Sequence, residues 1–499
     1  MSKKVKGLKA STLNVKTQAV SQSASSNKTK YAQYFTPLAV AKFMVGMFTE
    51  NSVNKVTVLD PGAGEGILGL SLTEHLTQQG FQASTTFVEI DELVFNSLKR
   101  NVQRSLTNFK TSLINDDFIA EGTKMLNAGE QFSHIIMNPP YFKLQREGDV
   151  STYLLSCGIN VTNIYAAFMW LGLRLLDDQG QMVAIVPRSF CNGPYFIKFR
   201  EYLVEHASIE AIHTFGSRDK VFSTDKVLQE NIIIHISKRA QSNQVRITCS
   251  EDQQFINIEE ALFSADEVID KTNPNLTISI PANKPTAKLT DFAKFTLADT
   301  GLQVSTGPVV DFRLKEFISN EDGEYSVPLL YPSHMKEGHI VWPVDNFTKK
   351  GQYYSVQPSL LDNVDANSCS DKNVSLANGY YVVIRRFSSK EEHRRIYAAV
   401  VDPAIHEIGV AFENHLNYFH KKKQGFEKEL AYGLSAYLNS ALVDDHFRSF
   451  SGHTQVNATD LRNLPYPSEQ QLIRIGRAAI ENAKPIDEVV CDDSYWDRV

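Results

Sequence analysis

Val56-Thr57-Val58-Leu59-Asp60-Pro61-Gly62-Ala63-Gly64-Glu65-Gly66 joins a strand-forming run to a glycine-rich turn, and a helix-forming run from Ile67 to about Gln78 follows directly. The apolar, β-branched residues favour extended backbone. Pro61 has no N–H to continue a ladder, and the glycines let the main chain approach a ligand that side chains would block. Strand, tight turn and helix in this order open the nucleotide-type α/β folds. No Lys-Ser/Thr pair follows the glycines, which speaks against a P-loop.

Working outward, Thr36-Pro37 predicts a helix through Val45, with Thr36 as N-cap and Pro37 at the first helical position. Thr85 to Glu89 reads as a second strand, ending in a carboxylate roughly twenty residues past the glycines, where such folds hold ribose hydroxyls. Asp91 caps the helix after it. Leu113 to Phe118 reads as a third short strand with acids at its end. A carboxylate there can accept from the exocyclic amine of an adenine while Phe118 packs on its ring; alternatively Asp116 and Asp117 are solvated turn acids. Ile135-Ile136-Met137 is a buried fourth strand that must stop at Asn138, because two prolines follow. An apolar helix from Asn163 to Leu176, a turn at Asp177-Asp178-Gln179-Gly180, a fifth strand Met182 to Val186 and a further strand Ile232 to Ile236 complete the pattern. Strands alternating with helices at this spacing imply a mainly parallel sheet covered on both faces.

Asn138-Pro139-Pro140-Tyr141 therefore lies at the carboxyl edge of a sheet, where open α/β folds bind their ligands. The Asn138 side-chain oxygen and the Pro139 carbonyl, held by two fixed φ angles, can together accept both hydrogens of a planar exocyclic amine. The ring of Tyr141 can stack on the base that carries it. The plainer account is a turn after a strand.

The chain has 499 residues, 42% of them hydrophobic, which allows two to four domains with full cores. Its formal charge of −6 excludes a surface coated in basic groups, so nucleic-acid contact must come from local patches. Met1 to Lys30 carries seven lysines and no acid, without the apolar segment of a secretory signal, and reads as a solvated tail. No apolar run is long enough to span a membrane. Cys157, Cys191, Cys249, Cys369 and Cys491 show neither metal-ligand spacing nor a disulfide framework, so no metal is expected and a reducing cytoplasm suits them.

From about Asp291 short strands broken by polar turns replace the alternating pattern, with a partly helical end from Phe426 through Phe450. Arg385, Arg386, His393, Arg394 and Arg395 form one basic cluster and His420-Lys421-Lys422-Lys423 another, suited to neutralising phosphates. Thr454, Gln455 and Asn457 lie in a run rich in groups that read base edges or phosphates. The alternative for that run is that Asn457 or Thr459 caps a short helix before Pro465.

In order, Phe35-Thr36-Pro37, the Asp60 to Gly66 turn, Glu89 and Asn138-Pro139-Pro140-Tyr141 resemble the γ-class N6-adenine DNA methyltransferases, over roughly residues 30 to 240. The carboxy-terminal half is similar to modification enzymes of type II restriction systems, including the methylase part of the Eco57I-like group. The resemblance implies an α/β fold: an S-adenosylmethionine-dependent methyltransferase (Rossmann-like) domain followed by an α+β DNA target-recognition domain. On this reading residues 1–28 are a disordered basic tail, 29–245 the catalytic domain, 246–290 sheet completion and linker, and 291–499 the target-recognition domain. It further implies that Thr36 and the glycine turn at Gly62, Gly64 and Gly66 hold the cofactor's methionine part, that Asp60 belongs to the same cofactor site and that Glu89 takes its ribose hydroxyls. Asp117 with Phe118 would contact its adenine, the doubled acid leaving Asp116 open. Asn138 and Pro139 would hold the target amine, Tyr141 would stack on the flipped adenine, and Phe222, in the loop Val221-Phe222-Ser223, would meet its other face. Arg385, Arg386, Thr454, Gln455 and Asn457 would contact DNA. The partners implied are double-stranded DNA and a separate cognate restriction endonuclease, in the cytoplasm of a bacterium or archaeon, with no membrane. Competing readings are a methyltransferase acting on RNA or on protein glutamine, and a non-catalytic DNA-binding relic of the fold.

Overall fold

Alternating apolar residues on either side of the glycine turn build one nine-stranded sheet. The computed structural model describes residues 36–49, 55–105, 109–145, 148–215, 230–271, 275–281, 289–336, 338–345, 347–349, 351–356, 375–389, 392–452, 454–481, 487 and 490. The chain divides into two units, Met1–Ile280 and Pro281–Val499.

In the first unit β1 (Lys55–Pro61), β2 (Gln82–Val88), β3 (Lys110–Ile114), β4 (Phe132–Met137) and β5 (Leu176–Pro187) alternate with α2 (Ile67–Gln78), α3 (Glu92–Ser105), α4 (Phe118–Asn127), α5 (Asp149–Ser156) and α6 (Ile164–Leu175). Helix α1 (Leu38–Val45) precedes them, and α7 (Ile197–His206), β6 (Ser208–Phe215), β7 (Asn231–Ser237), β8 (Gln244–Ser250) and β9 (Glu259–Ser264) follow. The strand order is β3-β2-β1-β4-β5-β7-β6-β8-β9. The first five strands are parallel, and β7 runs antiparallel between β5 and β6. Strand order reverses between β1 and β4, which opens a crevice at their carboxyl ends.

Each buried strand serves two layers, because successive side chains point to opposite faces. Ile135 and Met137 pack with α4 and α6, while Ile136 packs with α1 and α2. Gly172 lets α6 settle against Met137 and Met182 at 3.0–3.2 Å from the position a Cβ would take.

Some expected boundaries move. The N-cap of α1 is Pro37, so Thr36 stands outside the helix and makes no cap hydrogen bond there. Phe118 opens α4 instead of ending β3, and Asp117 caps that helix through Ile119 N. Extended backbone begins at Leu176, with Gln179 in the left-handed region and a register shift between Phe132 and His134, so the turn expected at 177–180 is an irregularity within β5. Strands β8 and β9 complete the sheet, and the first unit continues to Ile280. Residues 1–28 and Phe222 lie outside the described residues.

Arg200 of α7 is wholly buried and has no carboxylate hydrogen-bond partner among the described residues. Its guanidinium donates to the carbonyls of Phe190, Asn192, Gly193, Asn275 and Leu276 at 2.6–3.0 Å, tying the segment after β5 to the end of the unit. Burial lowers its pKa to about 10, so it stays charged.

In the second unit a six-stranded sheet carries Val382, Ile384 and Phe419 against the helices Lys428–Leu438, Ala441–Phe450 and Glu469–Glu481, and Tyr381, Val383 and Val401 on its other face. That second face packs with Leu330, Val410 and Phe412 of a five-stranded sheet. This is the expected α+β character. Gly433 and Gly476 let two helices cross with backbone in contact, a Cβ on either running into the opposite main chain.

Replacing Arg200 with Met leaves those carbonyls buried without their donor. Urea denaturation followed by Trp170 fluorescence should show a loss of about 3 kcal/mol or more in the first unit.

Candidate active site

The crevice at the carboxyl ends of β1 and β4 is assembled from backbone groups held by buried carboxylates. Gly62, Gly64 and Gly66 all have φ between +58° and +89°, a region that L side chains avoid. A Cβ on Gly64 would meet nothing within 4 Å, so its main chain faces open space. A Cβ on Gly66 would instead strike Leu98 of α3, which makes Gly66 a packing glycine.

Glu89, only 4% exposed, accepts from Gly64 N at 2.8 Å through Oε2 and from Asp91 N at 2.9 Å through Oε1. Burial raises its pKa, and the backbone N–H groups oppose that shift. Asp60 accepts from Gly69 N at 2.8 Å, while its Oδ1 is buried with no hydrogen-bond partner among the described residues. Asp91 caps α3 through Leu93 N, as its position after the strand predicts. Asp117 is held by burial above the usual carboxylate range, and Asp116 is an exposed partner of Lys124. Phe118 is 3% exposed, its ring centroid 4.8 Å from that of Phe168. An open glycine face, a carboxylate beneath it, an orphaned acid oxygen and a capping acid at the next strand end fit a cofactor with amino, ribose and adenine groups.

On the adjacent strand end, Asn138 is half-buried and Pro139 buried. The Asn138 side chain donates from Nδ2 to Thr36 Oγ1 at 3.1 Å, and Tyr141 OH donates to Asn138 Oδ1 at 2.9 Å. The same phenol lies 3.0 Å from the carbonyl of Ile185 in β5. Tyr141 meets Tyr165 edge-on at 6.3 Å, and Tyr165 shares a 2.7 Å hydrogen bond with Ser189. Neither the Thr36–Asn138 pairing, across 102 residues, nor the carbonyl of Ile185 has a sequence signal.

In the second unit the segment 386–388 pairs with 454–456: Ser388 N donates to Thr454 O, Val456 N to Arg386 O, and Phe387 bridges Gln455. Arg386, Thr454 and Gln455 are therefore neighbours, beside the 45%-exposed ring of Phe387. Arg385 pairs with Glu392 at 2.8 Å and lies 4.2 Å over Tyr397. Asn457 takes the capping position that the sequence offers as the alternative. It is the N-cap of Ala458–Arg462, in a capping box with Asp460. Arg395 departs from the phosphate cluster: it is 1% exposed and donates to Ser388 and to the carbonyl of Ser451. His420 is buried against Ser305, and Lys421 pairs with Glu469.

A sheet ordered β3-β2-β1-β4-β5-β7-β6 with an antiparallel seventh strand, a glycine turn on β1 and an acid ending β2 have the arrangement expected of a Rossmann-like S-adenosylmethionine-dependent methyltransferase domain. Residues 20–222 match the model of the Eco57I restriction-modification methylase family. The chain is 38% identical over 93% of its length to type II methyltransferase M.BsuBI of Bacillus subtilis, covering 93% of that protein. It is 37% identical to type II methyltransferase M.PstI of Providencia stuartii over 96% of both chains. A stretch of 87 residues, 17% of this chain and 34% of the relative, is 38% identical to a tRNA1(Val) (adenine(37)-N6)-methyltransferase of Shewanella baltica. The chain belongs to the type II methyltransferases of restriction-modification systems. It is a DNA methyltransferase, and S-adenosylmethionine is the cofactor expected of it.

Burial raises the Asp60 pKa to about 7, far above the value it takes in the unfolded chain. The folded state therefore holds the proton more tightly, and this acid's contribution to stability is full below about pH 4 and is lost as pH rises through 7. Asp60→Asn, which keeps an acceptor for Gly69 N, should flatten that decline relative to wild type in melting temperatures taken from pH 4 to 8.

Proposed function

We propose that the chain methylates N6 of an adenine extruded from duplex DNA, as the modification component of a restriction-modification system. The observation that carries this reading is the position of Asn138-Pro139-Pro140-Tyr141 at the end of β4, beside the glycine turn of β1. The local likeness to a relative named for adenine N6 transfer supports the choice of atom. Membership of the type II family supports DNA as the acceptor, with a cognate endonuclease as the partner acting on the same site.

On this reading Gly62 and Gly64 present main chain to the methionine part of the cofactor, Glu89 offers its remaining lone pairs to the ribose, and Asp117 with Phe118 borders the adenine. The cofactor supplies a methyl group activated by a sulfonium that departs as a neutral thioether. Adenine N6 is a weak nucleophile because its lone pair is delocalised into the ring. Asn138 Oδ1 and the Pro139 carbonyl accept the two N6 hydrogens, favour a tetrahedral nitrogen and aim its lone pair at the methyl carbon. With the cofactor bound, Asn138 Oδ1 and the Pro139 carbonyl would stabilise the positive charge that methyl transfer places on N6, and water would take the proton that nitrogen then loses. No strong base is needed beforehand.

Extruding the base costs a few kcal/mol. Stacking on Tyr141, at about 1–3 kcal/mol per base, offsets much of it. The edge formed by the exposed Phe387 and Thr454 and the half-buried Arg386 and Gln455, with Arg385 next to it, is where we expect the second unit to meet DNA. Asn457 supports that edge from its cap.

Labelled S-adenosylmethionine should transfer its methyl to unmethylated genomic DNA and yield N6-methyladenine, with bulk RNA and cell protein unlabelled in parallel. Label in RNA or protein instead would move the activity to another acceptor. Asn138→Ala should lower transfer by about a hundredfold or more while cofactor still binds. Near-normal turnover of that variant would defeat this reading.

A further inference from the structure

The Asn138 carboxamide has a chemically decisive rotation. Its two ends have nearly the same shape, and the terminal torsion of asparagine has broad, roughly two-fold wells. Only Oδ1 can accept from a target amine; the opposite rotation would present N–H groups to N–H groups. Nothing in the Asn138 side chain itself selects the useful rotation.

Three segments meet at this one amide. Thr36, immediately before α1, places Oγ1 3.1 Å from Nδ2, and Tyr141 places its hydroxyl 2.9 Å from Oδ1. Ile185 of β5 places a backbone carbonyl 3.0 Å from the same phenol. A carbonyl can only accept, so the Ile185 carbonyl and Asn138 Oδ1 are both acceptors for the one phenol proton. Since Thr36 contributes no cap to α1, its hydroxyl is free of the local duty its Thr-Pro context predicts.

We propose that the hydroxyls of Thr36 and Tyr141 are positioning groups that fix the rotation of the Asn138 carboxamide, so that Oδ1 faces the target amine. This rests on the function proposed above; it gives Thr36 a role in place of the cofactor contact that the resemblance implies, and gives the Tyr141 hydroxyl one separate from the stacking of its ring. The phenol has a single proton within reach of two acceptors. When the amine donates to Oδ1, that proton can pass its weight to the Ile185 carbonyl. Oδ1 then keeps its electron density for the cationic nitrogen that forms.

The test uses the full chain, labelled S-adenosylmethionine and unmethylated genomic DNA, with cofactor affinity measured by calorimetry. Thr36→Val keeps the shape and removes the hydroxyl, while Tyr141→Phe keeps the stacking ring. Each should lower kcat by about tenfold to a hundredfold, with cofactor Kd and KM for DNA within about threefold of wild type. Thr36→Ser, which restores the hydroxyl, should recover most of the rate, and retained cofactor affinity in every variant reports an intact fold. Loss of cofactor affinity in Thr36→Val with kcat unchanged would make Thr36 a cofactor ligand and overturn the proposal. So would wild-type kcat in Tyr141→Phe. An inactive Asn138→Ala beside fully active Thr36→Val and Tyr141→Phe defeats only the positioning role, whereas an active Asn138→Ala defeats the proposed function as well.

Discussion

The parallel pairing of β1 with β4, with Leu59 opposite Ile135, is the constraint on which the site depends. It sets the glycine turn and the Asn138 tetrapeptide at neighbouring strand ends, although some seventy residues separate them in the chain. Because β1 sends its next strand to one side and β4 lies on the other, the helices that follow diverge and leave a crevice. A one-residue slip in this register would turn Ile135 and Met137 from the α6 layer into the α1 layer, so the core that fixes the register also fixes the site.

Buried carboxylates then shape what the crevice presents. Glu89 and Asp60 each hold a backbone N–H of the turn or of the first turn of α2, and both have pKa values raised by burial. Such desolvation is costly, and charge-assisted bonds to backbone N–H groups offset part of it. Placing acids here gives the N–H groups of a glycine-rich loop and of the helix after it fixed acceptors. Three glycines with positive φ have large conformational freedom to lose, and the carboxylates supply fixed partners for the result.

In the second unit charge is distributed differently from what residue clusters suggest. Arg395, adjacent in sequence to Arg394, is a core group that binds backbone and side-chain oxygens, and Asn457 terminates a helix. What remains is a short paired edge in which Phe387 and Thr454 are exposed and Arg386 and Gln455 half-buried, brought together by hydrogen bonds between segments nearly seventy residues apart. Clusters in the chain and clusters in space coincide only where a turn or single helix contains them, and here a strand edge decides.

By itself the sequence determined the alternation of strands and helices through Ile236, the glycine turn and the end of β4 at Asn138. These rest on local physics: apolar periodicity, the missing N–H of proline, the φ freedom of glycine. It also singled out Glu89, and left Asp116 and Asp117 open until burial and the cap of α4 separated them. Only the tertiary structure decided that Thr36 turns from its helix to Asn138, that Gly66 is required by Leu98, and that the phenol of Tyr141 shares its proton between an amide and a strand carbonyl. Each depends on atoms more than thirty residues apart, or on which face of an element is covered. No local pattern encodes such contacts, because packing of the whole sheet sets them.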